Sequence, residues 1–235
     1  AAVIMEASRT DMPPEGYLQG VKDLTHEHGA VLIFDEVITG FRLAMGGAQE
    51  FYGVAPDMAT FGKAMSNGHP IGGVCGRREV MQDAATMFIS STYYSDPAGM
   101  AAALATIREL KDKDALKHIW AMGQMLKDGF GQLAAKHGLD ASCDGPPPVT
   151  HPRFSVPAEL AKPIITLYLQ ELLRGGILGC TVNYIMYSHT EEDIQAFLDA
   201  SDGAMAVIRK ALDEGDPRKY LEGQERGEDL GRMVR

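Results

Sequence analysis

Cysteine, tryptophan and long apolar runs are scarce in this chain. Its 235 residues include one tryptophan and three cysteines, Cys75, Cys143 and Cys180, which lie far apart. An odd number of widely spaced cysteines argues against a disulfide framework and favours a reducing compartment, so we expect a cytoplasmic protein. No apolar run approaches the ~20 residues that a membrane-spanning helix needs, and we therefore expect no membrane partner.

Positive charge is also in short supply. The chain has 22 lysines and arginines against 32 aspartates and glutamates, which gives a formal net charge of −10. Nucleic acids and anionic membranes bind basic surfaces, and the basic residues here form no stripe, so the sequence predicts neither partner. It predicts no metal site either, because His26 and His28 lie two apart near a predicted helix end and point in different directions.

Hydrophobic periodicity divides the chain in two. Up to about residue 110, short apolar runs alternate with amphipathic segments, which is typical of α/β organisation. Beyond it, long helical periods dominate, with a proline-rich loop at 143–148. We predict a mainly parallel sheet with helices in residues 1–110, then an α+β domain in residues 111–235. This second domain ends in a polar tail that we expect to be mobile or laid on the surface. The predicted strands are 2–5, 31–34, 58–61, 72–75, 153–156 and 182–187, and the predicted helices are 15–28, 100–110, 112–137, 164–173 and 191–212.

Asp35 and Lys63 are the residues with the clearest chemical meaning. They lie 28 positions apart, and each follows a short apolar run that reads as a buried strand. The carboxyl ends of parallel strands meet at the sheet edge where ligands bind. A lysine amine forms a Schiff base with an aldehyde, and a carboxylate can keep a pyridine nitrogen protonated. Together the two residues indicate pyridoxal phosphate as cofactor.

Longer motifs surround this pair. They read FDEVITGFR, GGAQEFYGVAPDMATFGKAMSNGHPIGG, GRREVM, SDPAGMAAALATI and GILGCTVNYIMYSHTEEDI. In the order and spacing of these motifs, the chain resembles class III aminotransferases of pyridoxal-phosphate fold type I, most closely their glutamate-1-semialdehyde aminomutase-like branch. The resemblance extends from about Ala1 to about Leu212. The resemblance implies a partial fold type I large domain followed by a small domain. It also implies amino group transfer between a small-molecule amino donor and a carbonyl acceptor.

Four residues take roles from the resemblance. Lys63 forms the internal aldimine and then moves protons, while Asp35 stabilises the pyridinium. Val37, two residues beyond Asp35 and so on the same face of an extended segment, packs against the cofactor ring. Thr92 contacts the cofactor phosphate across a subunit interface, which implies a homodimer with its active site at that interface.

Three positions depart from the family pattern. Ser91 stands where glycine is common before Thr92, and Asp96 stands where asparagine is common, which weakens the phosphate assignment. Asp96 has a local explanation, because an aspartate N-cap followed by Pro97 starts a helix well. Ile38 replaces a glutamine of many class III transaminases and favours the aminomutase-like branch.

Alternative interpretations remain at this stage. The opening AAVIME reads as a buried strand, and we expect a C-terminal half of the family's chain. The second functional hypothesis is therefore a truncated or split, catalytically silent chain that needs the upstream half or a partner to bind cofactor. An ATPase with a phosphate-binding loop ending at Lys63 is excluded by the motif. The loop requires glycine at position 57 and serine or threonine after the lysine, whereas this chain has Asp57 and Ala64. The sequence does not identify the substrate or distinguish a transaminase from an aminomutase. His69 and Arg42 are candidate substrate contacts.

Overall fold

The computed structural model describes residues 1–8 and 11–227, and the chain forms two compact units, Ala1–Ile119 and Trp120–Arg235. The sequence-based domain boundary at residues 110–111 stays a prediction. No helix among the described residues has both the length and the apolar character needed to cross a membrane.

The first unit is built on a four-stranded sheet. Its strands are β1 (Ala2–Met5), β2 (Val31–Asp35), β3 (Met58–Phe61) and β4 (Gly73–Gly76), in that spatial order. The β1–β2 and β2–β3 pairs are parallel, whereas β4 runs antiparallel to β3. The predicted mainly parallel sheet is therefore confirmed. The unit also contains α1 (Tyr17–Glu27), α2 (Ala48–Tyr52), α3 (Arg78–Met81), α4 (Pro97–Asp112) and the 3₁₀ turns Lys63–Ser66 and Gln82–Thr86.

Strand β2 lies in the middle of this core. Leu32 and Phe34 are fully buried, and the residues between and beside them are half-buried, as the period of two in a strand requires. Helix α4 begins three residues before the predicted residue 100, but its predicted N-cap is present. Asp96 Oδ1 accepts a hydrogen bond from Ala98 N at 3.0 Å, and Pro97 occupies the first turn.

The second unit combines an antiparallel sheet with helices. Helix α5 (Ala115–Lys136) runs into it, followed by β5 (Ala141–Asp144), β6 (Val149–Phe154), α6 (Ala158–Arg174), β7 (Asn183–Tyr184), α7 (Glu191–Asp213) and the 3₁₀ turn Pro217–Tyr220. The sheet has the order β5-β6-β7. In the core, Tyr168 meets the rings of Phe130 and Phe154, and its hydroxyl shares a hydrogen bond of 2.9 Å with Ser201 Oγ.

Several predicted boundaries in the second unit are wrong. The strand predicted at 153–156 begins at Val149, and the predicted loop at 143–148 contains the end of β5. The strand predicted at 182–187 is reduced to Asn183–Tyr184, which pair with Thr150 and Val149 of β6. Helix α6 begins six residues before the prediction and contains Pro163, which sequence reasoning places outside helices.

Part of the predicted polar tail is held against helix α6. The backbone N–H of Glu222 donates to Gln170 Oε1 at 2.8 Å, and that of Arg226 donates to Thr166 Oγ1 at 3.2 Å. Up to residue 227 the tail is therefore laid on helix α6, which is one of the two arrangements expected for it. Residues 228–235 lie outside the described part of the chain.

Candidate active site

The two central residues of the predicted site lie at the same edge of the first sheet. Asp35 is the last residue of β2, and Lys63 follows the last residue of β3 by two positions. Since β2 and β3 are parallel, with Asp35 opposite Thr60, both strands deliver their following residues to one edge.

In the described part of the chain, hydrogen bonds reach one of the two carboxylate oxygens of Asp35. Oδ1 accepts hydrogen bonds from Val37 N at 3.0 Å and from Thr60 Oγ1 at 3.2 Å. Within residues 1–8 and 11–227, Oδ2 receives no hydrogen bond and no ion pair. The half-buried carboxylate is thus fixed through one oxygen and leaves the other open to a ligand.

The geometry of Val37 differs from the prediction. Strand β2 ends at Asp35 and residues 37–39 form a turn, so Val37 does not continue an extended segment. The hydrogen bond from Val37 N to the Asp35 side chain makes this an Asx-type turn. The turn nevertheless brings the Val37 side chain close to Gly62, because a Cβ built on Gly62 would lie 3.6 Å from Val37 Cγ1. Val37 and the residue before Lys63 are therefore neighbours.

Lys63 occupies a constrained backbone position. Its φ is +43°, in the left-handed region that residues other than glycine rarely adopt, and its side chain is exposed. Strain of this kind is common at ligand-binding sites. No ion pair joins Lys63 to Asp35, so the amine and the carboxylate share an edge without neutralising each other.

A tight turn fixes the segment after Lys63. His69 N donates to Ser66 O, and the intervening Asn67 and Gly68 have φ values of +49° and +97°. These are features of a type I′ turn, for which Asn-Gly is the preferred pair. The buried Ser66 hydroxyl also donates to His69 O at 2.5 Å. His69 itself is exposed, and its substrate contact stays a prediction, as does that of the half-buried Arg42.

Glu36, next to Asp35, is a structural residue that sequence reasoning did not identify. It is 1% exposed, and its carboxylate accepts hydrogen bonds from Ala48 N at 2.7 Å, Gln49 N at 2.9 Å and the Thr39 hydroxyl. A carboxylate at the start of helix α2 satisfies N–H groups that have no partner within the helix. Glu36 thereby anchors the loop that follows the site.

Thr92 is not joined to the other predicted site residues. It lies in the exposed segment 87–95, whose Phe88 and Tyr93 are 96% and 80% exposed, and no hydrogen bond joins it to Asp35 or Lys63. Its predicted phosphate contact across an interface stays a prediction.

The histidine next to the sheet has a role that the sequence did not indicate. His26 Nε2 lies 2.9 Å from Asp57 Oδ2, so the ring pairs with a buried carboxylate. Asp57 is 4% exposed and also accepts from Leu32 N at 2.8 Å and Arg77 Nη1 at 3.1 Å. Burial opposes ionisation of this carboxyl, but the three donors outweigh burial and lower its pKa.

Comparison with known proteins gives the family. The sequence model of the class III aminotransferase family matches residues 1–141 of this chain. The 3-aminobutyryl-CoA aminotransferase of Cloacimonas acidaminovorans is 34% identical over 87% of this chain and 50% of its own length. The glutamate-1-semialdehyde 2,1-aminomutase 2 of Brevibacillus brevis is also 34% identical, over 87% of this chain and 52% of its own. The chain therefore spans about half the length of these relatives.

A solved structure shows the same fold. The FumI protein of Sphingopyxis sp. MTA144, in its PLP internal aldimine form, matches with a TM-score of 0.84 at 24% identity, over 93% of this chain and 54% of that one. The family match covers more than half of the chain and includes Asp35, Val37, Lys63 and Thr92. This chain belongs to the class III aminotransferases.

Proposed function

We propose that this chain supplies the lysine and the carboxylate that hold pyridoxal phosphate in an enzyme that transfers amino groups. The open oxygen of Asp35, at the same sheet edge as the exposed Lys63, is the observation that carries the proposal. A carboxylate and an amine at one sheet edge suit the two ends of one ring, because the carboxylate pairs with a protonated ring nitrogen and the amine condenses with an aldehyde. The residues present therefore fit the cofactor.

Each residue has a distinct task in this proposal. When bound, pyridoxal phosphate supplies an electron sink for the carbon next to the amino group. Lys63 would hold the cofactor through its amine, and the free amine would carry a proton at the reacting carbon. Asp35 keeps the ring nitrogen protonated, because a carboxylate beside that nitrogen favours its charged form. Val37, whose side chain lies beside Gly62, packs against the ring.

The substrates follow from the family. We propose a small-molecule amino donor and a carbonyl acceptor, in one of two arrangements. The amino group moves between two molecules, as the name 3-aminobutyryl-CoA aminotransferase describes, or within one, as the name glutamate-1-semialdehyde aminomutase describes. Incubation with each class of substrate separates the two, because only the first needs a second carbonyl compound.

Assembly and location complete the proposal. We propose a homodimer in which Thr92 contacts the cofactor phosphate of the partner's site. The exposed aromatic residues around Thr92 support this, since clustered apolar side chains on a surface mark protein interfaces. We also propose a cytoplasmic location, supported by Cys75, Cys143 and Cys180, which are all free thiols.

Covalent labelling tests the central assignment. The cofactor-loaded assembly that contains this chain is reduced with borohydride, digested and mapped by mass spectrometry. We expect the phosphopyridoxyl group on Lys63, loss of labelling in Lys63→Ala, and full labelling in Lys111→Ala, which changes an exposed lysine of the same unit. A label on a different lysine, or none in a folded and cofactor-loaded assembly, overturns the proposal.

A further inference from the structure

We propose that Thr60 is a positioning residue that selects which oxygen of Asp35 meets the cofactor ring. This inference rests on the proposed function and adds a residue to it. Thr60 lies directly opposite Asp35 in the parallel pair of β2 and β3. Its hydroxyl donates to Asp35 Oδ1 at 3.2 Å, and it has no role in the covalent chemistry.

The two oxygens of Asp35 have different tasks. Two donors of different origin, Val37 N and Thr60 Oγ1, converge on Oδ1. A carboxylate end group has a broad, roughly two-fold torsional profile, so it does not fix its own orientation. Two donors from two directions do fix it, and they leave Oδ2 as the acceptor for the ring N–H.

The hydroxyl of Thr60 is separable from its structural contribution. The Thr60 carbonyl accepts from Glu36 N at 2.9 Å, and this backbone hydrogen bond does not depend on the side chain. Valine has nearly the shape of threonine and an equally high preference for strands. Thr60→Val therefore removes one donor and retains the strand.

The experiment compares Thr60→Val with Thr60→Ser in the cofactor-loaded assembly that contains this chain. Visible circular dichroism of the bound cofactor reports the fixed orientation of the ring, and cofactor titration gives its dissociation constant. We expect Thr60→Val to reduce the dichroic amplitude and to weaken cofactor binding about tenfold. A tenfold loss corresponds to ~1.4 kcal/mol, which is near the lower end for a hydrogen bond to a charged group. Thr60→Ser retains a donor and should restore both.

Thr60→Ala gives a second variant without a donor, should valine fail to fold. If the donor-free variants keep the dichroism and the cofactor affinity of the wild type, the inference is overturned. An equal loss in Thr60→Ser and Thr60→Val also overturns it, because a purely structural role would not distinguish the two variants. The midpoint of thermal unfolding, which we expect to change little, identifies general destabilisation.

Failure of the inference is distinguishable from failure of the proposed function. If borohydride labels Lys63 and Thr60→Val behaves as wild type, only the role of Thr60 is wrong. If the label falls on another lysine, the proposed function is wrong, whatever the Thr60 variants show.

Discussion

The guanidinium of Arg218 donates through Nη2 to the backbone carbonyl oxygen of Glu159 at 2.9 Å. In an uninterrupted helix this carbonyl would accept from the N–H of residue 163, four positions later. Residue 163 is proline and has no N–H, although it lies inside helix α6 and is buried. Arg218, on the 3₁₀ turn after α7, therefore supplies the donor that the helix lacks.

A double-mutant cycle tests this compensation. We expect Arg218→Met to lower the free energy of unfolding by about 0.5–1.5 kcal/mol, the usual worth of one hydrogen bond. In a Pro163→Ala background residue 163 supplies its own N–H, and the same change should then have a smaller effect. Denaturant unfolding of the four proteins measures the coupling. Glu225→Gln is the control, because Arg218 Nε also pairs with Glu225 Oε1 at 2.7 Å. Equal effects of Arg218→Met in both backgrounds would contradict the compensation.

Gly47 should be far less replaceable than Gly53, although both have positive φ, +81° and +69°, and flank helix α2. A Cβ on Gly47 would lie well inside the van der Waals contact distance to Glu36 Oε2, whereas one on Gly53 would meet nothing within 4 Å. We expect Gly53→Ala to cost about 1 kcal/mol of stability through backbone strain alone.

Gly47→Ala should cost at least ~3 kcal/mol, because it also displaces the buried carboxylate from Ala48 N and Gln49 N. Thermal and denaturant unfolding of the two variants measure the difference. Similar losses in both would show that the Glu36 anchor relaxes without consequence.

Sequence patterns predicted the fold best where the determining chemistry is local. Strands β1 and β3 match the predicted residues, because apolar runs with flanking turn signals define them. The start of α7 also matches the predicted residue 191, where Thr190 and Asp193 form a capping box. Helix α6 was predicted too short because its proline is compensated by Arg218, which lies far along the chain.

In the candidate site, too, local patterns could be predicted and contacts between distant residues could not. Asp35 and Lys63 could be placed at one edge from strand order alone, because parallel strands end together. Thr60 could not be identified without the register that sets it opposite Asp35. The partner of His26 was missed for a similar reason, since Asp57 lies 31 residues away in sequence.

Asp57 makes the stability of the first unit depend on acid pH. Its carboxylate accepts from Leu32 N, His26 and Arg77, and its pKa in the folded protein lies below the ordinary value of 3.8. The folded state therefore binds the proton more weakly than the unfolded state does. The resulting stabilisation is complete above pH ~5 and is lost as the pH falls through the lowered folded pKa.

The corresponding variant is Asp57→Asn. We expect it to reduce the free energy of unfolding at pH 7 by about 1–3 kcal/mol, the range for a buried hydrogen-bonded group that loses its charge. The difference from wild type should shrink below pH 4. Unfolding curves between pH 3 and pH 7 measure it, with the exposed Asp83→Asn as matched control. A difference that persists unchanged at pH 3 would assign the loss to packing instead of charge.

Asp35→Asn tests the proposed electrostatic role at the level of single atoms. Asparagine can still accept from Val37 N and Thr60 Oγ1 through its carbonyl oxygen, which turns its amide nitrogen to the position of Oδ2. A neutral N–H donor there cannot hold a proton on the ring nitrogen, so we expect cofactor binding to persist and proton transfer to slow by at least ~10²–10³. Single-turnover kinetics in the cofactor-loaded assembly measure this step. Asp23→Asn, an exposed change on α1, is the control that should leave it unchanged. A near-normal single-turnover rate in Asp35→Asn would remove Asp35 from the role.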